Sequence, residues 1–147
     1  MKTRLLTAVL MSAVLFAGFG NRSAAKAGKT SKMTDGVSID YGTSQLFTKD
    51  DFDKAIQLLN AEFSGWEGCE MHNIRFTGDT CSNEENLNWV NSLKEGRNYT
   101  QCMILDSDFH SPLEERGAWE ADKEYENWNW VFARADGGDW ELLNWGY

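Results

Sequence analysis

The sequence predicts an α+β domain: one long N-terminal helix packed on a curved antiparallel sheet of about four strands, with a short second helix. Three observations carry this. Phe52, Ile56, Leu59 and Phe63 recur at i, i+4, i+7 and i+11, the single apolar stripe of an amphipathic helix. Trp128, Trp130 and Phe132 alternate with Asn129, Val131 and Ala133, which is the two-residue period of a strand. Asp136-Gly137-Gly138-Asp139 supplies the positive-φ positions of a tight reversal, after which Trp140 to Trp145 returns as a second strand. Trp128, Trp130, Trp140 and Trp145 all lie in this hairpin, and each can bury roughly 150–250 Å². The hairpin is therefore expected at the centre of the fold.

The front of the chain reads as a targeting segment. Lys2 and Arg4 precede an uncharged apolar run from Leu5 to Phe19, and Ser23, Ala24, Ala25 and Ala27 offer small-residue cleavage sites. This pattern predicts a secretory signal peptide over residues 1–27. The run of about 15 apolar residues is shorter than the ~20 of a spanning helix. The expected location is secreted or extracytoplasmic, with no membrane attachment after cleavage. Phe16 to Phe19 resembles the site where bacterial lipoproteins carry a lipid-bearing cysteine, but Phe19 has no thiol to acylate. Residues 28–45, rich in Gly, Ser, Thr and Lys without periodicity, are expected to form a flexible tether, leaving 46–147 as a single domain.

Order is expected to begin at Thr48, a good N-cap followed by Asp50, Asp51 and Asp53 on the first helical turn. Asp51 completes a weak capping box, Phe47 and Phe52 are spaced as a hydrophobic staple, and the helix should end near Ser64-Gly65. Cys69 to Thr77 reads as a strand. Its two apolar phases, Cys69 with Met71 and Ile74 with Phe76, are reconciled by a bulge near His72-Asn73. Ser82 to Leu93 predicts a short, largely polar helix capped by Ser82, with Leu87, Val90 and Leu93 inward. Tyr99 to Phe109 is a further strand with Cys102, Met103, Ile104 and Leu105 at its core. Ser111 to Glu126 contains Pro112 and a run of acids, and is expected as a long exposed loop.

Charge removes whole classes of function. The 147-residue chain has 14 basic and 23 acidic residues. Cleavage after residue 27 would remove Lys2, Arg4, Arg22 and Lys26 and no acid, leaving a net charge of −13. Such a surface repels nucleic acid and anionic lipid, which require basic patches. No nucleic-acid partner is expected. Three cysteines, Cys69, Cys81 and Cys102, suggest one bridge plus one thiol in an oxidising compartment, or an intermolecular link. An antiparallel sheet would bring Cys81 nearer Cys102 than Cys69, so either a Cys81–Cys102 bridge or a buried, reduced Cys102 fits.

The ending from Asn127 through Trp128, Trp130, Arg134, Gly137, Gly138, Trp140 and Glu141 to Gly146-Tyr147 resembles a family of small exported or lipoprotein-type domains of Firmicutes. The likeness covers residues 46–147 and is sharpest from Asn127 onward. It implies the same compartment and a sheet wrapped on a helix, as in cystatin-like and NTF2-like folds. It implies no particular activity.

Constellations that could carry chemistry are weak. Cys69 and His72 have a Cys-x-x-His spacing, with Cys81, Cys102 and His110 as further zinc candidates, but strand residues three apart point to opposite faces. A thiol nucleophile requires a nearby base, and only His72 and His110 are available. Cys102 and His110 would stand about 26 Å apart along one strand; Cys81 with His110 stays open. The acids Glu114, Glu115, Glu120, Asp122, Glu124 and Glu126 could ligate calcium but lack an EF-hand spacing, and a charge run is usually a solvated face. No serine elbow or phosphate loop occurs. No metal or cofactor is therefore expected.

The aromatics outnumber what one helix face can cover. Trp128, Trp130, Trp140 and Trp145 are accordingly the expected ligand-binding residues, on an aromatic sheet face that takes a small apolar or sugar-like ligand, or a protein partner. The bland reading is that most of them are core. The expected function is that of an exported, non-catalytic binding domain. Two alternatives stand beside it: a secreted NTF2-like hydrolase or isomerase using Asp106 or Glu141 as its acid, and a cystatin-like secreted inhibitor.

Overall fold

The computed structural model describes residues 36–147, so the expected signal peptide at 1–27 and the first part of the expected tether lie outside the described residues. In chain order the elements are β1 (Ser38–Asp40), α1 (Lys49–Phe63), β2 (Glu70–Phe76), a 3-10 turn (Asp79–Cys81), α2 (Glu84–Leu93), β3 (Gln101–His110), β4 (Glu124–Arg134) and β5 (Glu141–Gly146). The strands lie in sequence order in one five-stranded sheet. β1 runs parallel to β2, and every other pairing is antiparallel. The α+β class holds. The sheet, however, is mixed and has five strands rather than about four antiparallel ones, and a strand precedes the first helix.

The additional strand comes from the stretch expected as a tether. Three residues are too few to show a period, and all three side chains of β1 are exposed, so no apolar signal marks them. Pairing supplies what composition does not: Ser38, Ile39 and Asp40 align with Asn73, Ile74 and Arg75. The segment after β1 is also tied down. The Tyr41 hydroxyl donates to Asp53 at 2.9 Å, and the Gln45 amide donates to Asp79 at 2.7 Å.

Helix α1 starts at a complete capping box. The Asp51 amide donates to the Thr48 hydroxyl at 3.3 Å, and the Thr48 amide donates back to the Asp51 carboxylate at 2.8 Å. Phe47 and Phe52 meet edge to face, with centroids 6.2 Å apart. Phe52, Ala55, Leu59 and Phe63 are buried, whereas Ile56 lies at the margin of the stripe. In β2 the register shifts between Met71 and Asn73, and this bulge brings Met71 and Ile74 into the same core. The cap of α2 is Asn83, not Ser82. The Asn83 side chain accepts from the Asn86 amide at 2.8 Å, while the Ser82 hydroxyl accepts from the Cys102 amide at 3.1 Å. Of the apolar residues in α2, Val90 is fully buried and Leu93 is exposed. β4 begins at Glu124 and so takes in the end of the expected loop.

The alternation of β3 and β4 separates two packing layers. Met103, Leu105, Phe109, Trp128, Trp130 and Phe132 pack with Phe52, Leu59 and Phe63 of α1. Cys102, Val131 and Ala133 pack on the other side with Val90 of α2 and with Tyr99. α2 covers only the start of β3 on that side. Farther along, the same face carries the polar side chains of Arg75, Asp106, Asp108 and Asn129.

Candidate functional site

The four tryptophans of the β4–β5 hairpin are placed at very different depths. Trp130 is 0% exposed; its indole N–H donates to the Ser107 hydroxyl at 2.8 Å, and its ring stacks on Trp66 with centroids 5.0 Å apart. Trp140 is also buried. Its N–H donates to Asp51 at 3.2 Å, and the Arg134 guanidinium lies over its ring at 4.5 Å. Neither ring lines a surface that a ligand could reach, because helix α1 and the Asp51–Arg134 pair already occupy their faces. Trp128 is 8% exposed and Trp145 is 41% exposed. Of the four expected ligand-binding residues, only Trp145 presents substantial ring area to solvent.

Trp145 is nevertheless held by neighbours. It stacks on Trp128 at 6.1 Å and 25°, and meets Trp66 edge to face at 5.2 Å. Tyr147 stands against Trp128 at 5.0 Å and is largely exposed. Beneath them, Trp66 and Trp128 contact Trp119 and Phe109, so the exposed ring is the outermost member of a continuous aromatic array. Trp66 is the hub of this array, and sequence reasoning missed it. It stands three residues beyond Phe63, just past the helix end, where it continues the apolar stripe of α1 into the turn. The Trp128 indole N–H is the one buried side-chain nitrogen or oxygen among the described residues with no hydrogen-bond acceptor in the protein. Buried N–H groups are normally paired, so this one stands out.

The acids divide into clear types. Arg75 grips Asp108 with two hydrogen bonds, of 2.7 and 3.1 Å, and also reaches Asn127 at 3.2 Å. The Arg75 hydrogen bonds, set against a smaller cost of burial and helped by the Asn127 amide, hold the Asp108 carboxyl well below the usual range. Asp106, beside this pair, is raised: burial lifts it, Arg75 opposes the lift, and Asp108 adds to it. Glu141 is lowered, chiefly by Lys94, whose ammonium donates to it at 2.6 Å. Of the two candidate acids, only Asp106 is shifted toward its protonated form.

The cysteine and zinc constellations do not assemble. Burial raises the thiols of Cys69 and Cys102, to about 11 and about 12 respectively, so neither is a ready thiolate. Cys81 touches the Cys102 carbonyl at the start of β3, whereas His110 ends that strand about 26 Å away. His72 bonds to Glu124 at 2.8 Å and His110 pairs with Asp122 at 3.2 Å. Among the described residues no group of three His, Cys, Asp or Glu side chains could hold a metal ion.

A polar cleft of about 660 Å³ opens beside the β4–β5 turn, lined by Lys54, Thr100, Gln101, Arg134, Asp136 and Asp139 together with the turn glycines. None of the four tryptophans lines it. Comparison with protein-family models, with curated proteins and with solved structures finds no match.

Proposed function

We propose that the chain is an exported, non-catalytic binding domain that takes a neutral, sugar-like ligand at the aromatic surface of Trp145 and Tyr147. The observation that carries this reading is an exposed indole held rigidly on a buried aromatic array. A tryptophan kept 41% exposed yet stacked on Trp128 offers a flat apolar face at little ordering cost. The net charge of −9 disfavours anions.

Titration of the purified chain with neutral oligosaccharides, followed by intrinsic tryptophan fluorescence, tests the reading. Saturable quenching is expected with at least one sugar and is expected to disappear in Trp145→Ala. A response unchanged by that substitution, or no response to any sugar, would overturn it.

Asp106 supports a second reading, an acid–base enzyme of NTF2-like type. Its raised carboxyl is where such chemistry would reside. A carbon-detected NMR titration that finds Asp106 ionising in the ordinary carboxylate range would remove that reading.

A further inference from the structure

We propose that Cys81 and Cys102 are a disulfide-forming pair, which under oxidising conditions closes one bridge fastening the 3-10 turn before α2 to the first residues of β3. The two residues lie against each other in the fold. The Cys81 thiol donates to the Cys102 carbonyl oxygen, S···O 3.5 Å, and the next residue, Ser82, accepts from the Cys102 amide at 3.1 Å. Residues 81 and 82 thus bracket Cys102 from both of its backbone polar groups. A carbonyl oxygen lies about 2.4 Å from its own Cα, which puts the Cys81 sulfur within about 6 Å of the Cys102 Cα. Bridged cysteines have Cα atoms about 4.4–6.8 Å apart. Closure asks the Cys81 side chain to turn from the Cys102 carbonyl toward the Cys102 sulfur, with the two Cα atoms inside that range.

The topology also selects this pair over the others. Cys69 precedes Glu70, which pairs with His110 at the far end of β3. Eight strand residues, about 26 Å, separate that end from Cys102. Both partners of the proposed bridge are buried, and burial raises both thiols, with the neighbouring Cys81 raising Cys102 further. Neither ionises readily once packed, so the bond forms while the chain is folding.

The chemistry is ordinary thiol–disulfide exchange. One cysteine thiolate attacks a sulfur of a disulfide oxidant, a small-molecule disulfide in solution or the disulfide of an oxidising protein during export. This forms a mixed disulfide and expels one thiolate. The second cysteine attacks the mixed disulfide and expels the other. The pair loses two protons and two electrons, and the oxidant is reduced to two thiols.

The inference is independent of ligand binding, and its test needs no ligand. The purified chain is refolded from urea in a reduced and oxidised glutathione couple, then denatured, alkylated and mapped by mass spectrometry. Alkylation of Cys69 alone is expected, with the Cys81 and Cys102 peptides joined and lighter by two hydrogens. Alkylation of all three cysteines in chain that has refolded, or a bridge using Cys69, would overturn the proposal. Dithiothreitol should lower the melting temperature of the oxidised chain by several degrees, and equally in Cys69→Ser. It should leave Cys81→Ser and Cys102→Ala unmoved. A dithiothreitol shift that persists in Cys81→Ser would also overturn it.

Discussion

Trp130 and Trp145 face each other directly across β4 and β5. They are the same residue type, on the same face of the same sheet, in adjacent strands, yet one is fully buried and the other 41% exposed. The difference is lateral position. Trp130 lies on an interior strand, where Phe63 and Trp66 cover it; Trp145 lies on the edge strand, where its contacts leave 41% of it exposed. Ring contacts alone do not separate them, since both touch Trp66. What separates them is whether the contacts enclose the ring or merely hold one side of it. An enclosed tryptophan stabilises the fold, and one held on a single side is a rigid platform.

The sharpest break of this comparison is substitution of the buried member. Trp130→Ala should lose about 3–5 kcal/mol of stability, read from urea denaturation, because it removes a large core ring and takes from the Ser107 hydroxyl the indole N–H that it accepts. A loss below about 1 kcal/mol would mean that the hairpin is not the core.

A smaller effect is expected where α1 is fastened to the same hairpin. Asp51 is buried and accepts from Arg134 at 2.6 Å and from the Trp140 indole. Burial alone would raise its carboxyl, but the Thr48 amide, the Trp140 N–H, the Thr48 hydroxyl and the Arg134 charge together outweigh burial and bring it down to about 2. A carboxyl lowered on folding contributes stability that is fully present above its unfolded value near 4 and is lost as pH falls through about 2. The contribution is about 2 kcal/mol at neutral pH. Urea titrations between these limits should show that loss in the native chain. Asp51→Asn should be less stable at pH 7 and should have a flatter pH profile; an unchanged profile would remove Asp51 as the anchor.

Substituting the exposed member should change least. Trp145→Ala is expected to cost about 1 kcal/mol or less in the same urea assay, while abolishing the sugar-dependent fluorescence change. A cost approaching that of Trp130→Ala would place Trp145 in the core and end its role as a platform.

How far the sequence was legible follows the same division. Phe52, Leu59 and Phe63 announced α1 because a helix repeats its buried positions locally, and Thr48 with Asp51 announced its start because a capping box is complete within four residues. The bulge in β2 was visible as a clash between two apolar phases. β1 was invisible, because three exposed residues acquire their structure only from β2 beside them. The cap of α2 went to Asn83 because Ser82 was taken by the Cys102 amide, a partner 20 residues away that local spacing cannot reveal. Trp66 was overlooked because it stands just past a helix end, outside any repeating pattern.

By itself, then, the sequence determined the α+β class, the extents of the longer elements and the alternation that commits aromatic rings to one face of the β4–β5 hairpin. Those are consequences of 3.6-residue and two-residue periods, which each short stretch carries within itself. Only the tertiary structure decided which tryptophans are enclosed, which carboxyl is lifted and which two cysteines meet. Burial, field and proximity are set by the elements that arrive from elsewhere in the chain, and no local period encodes them.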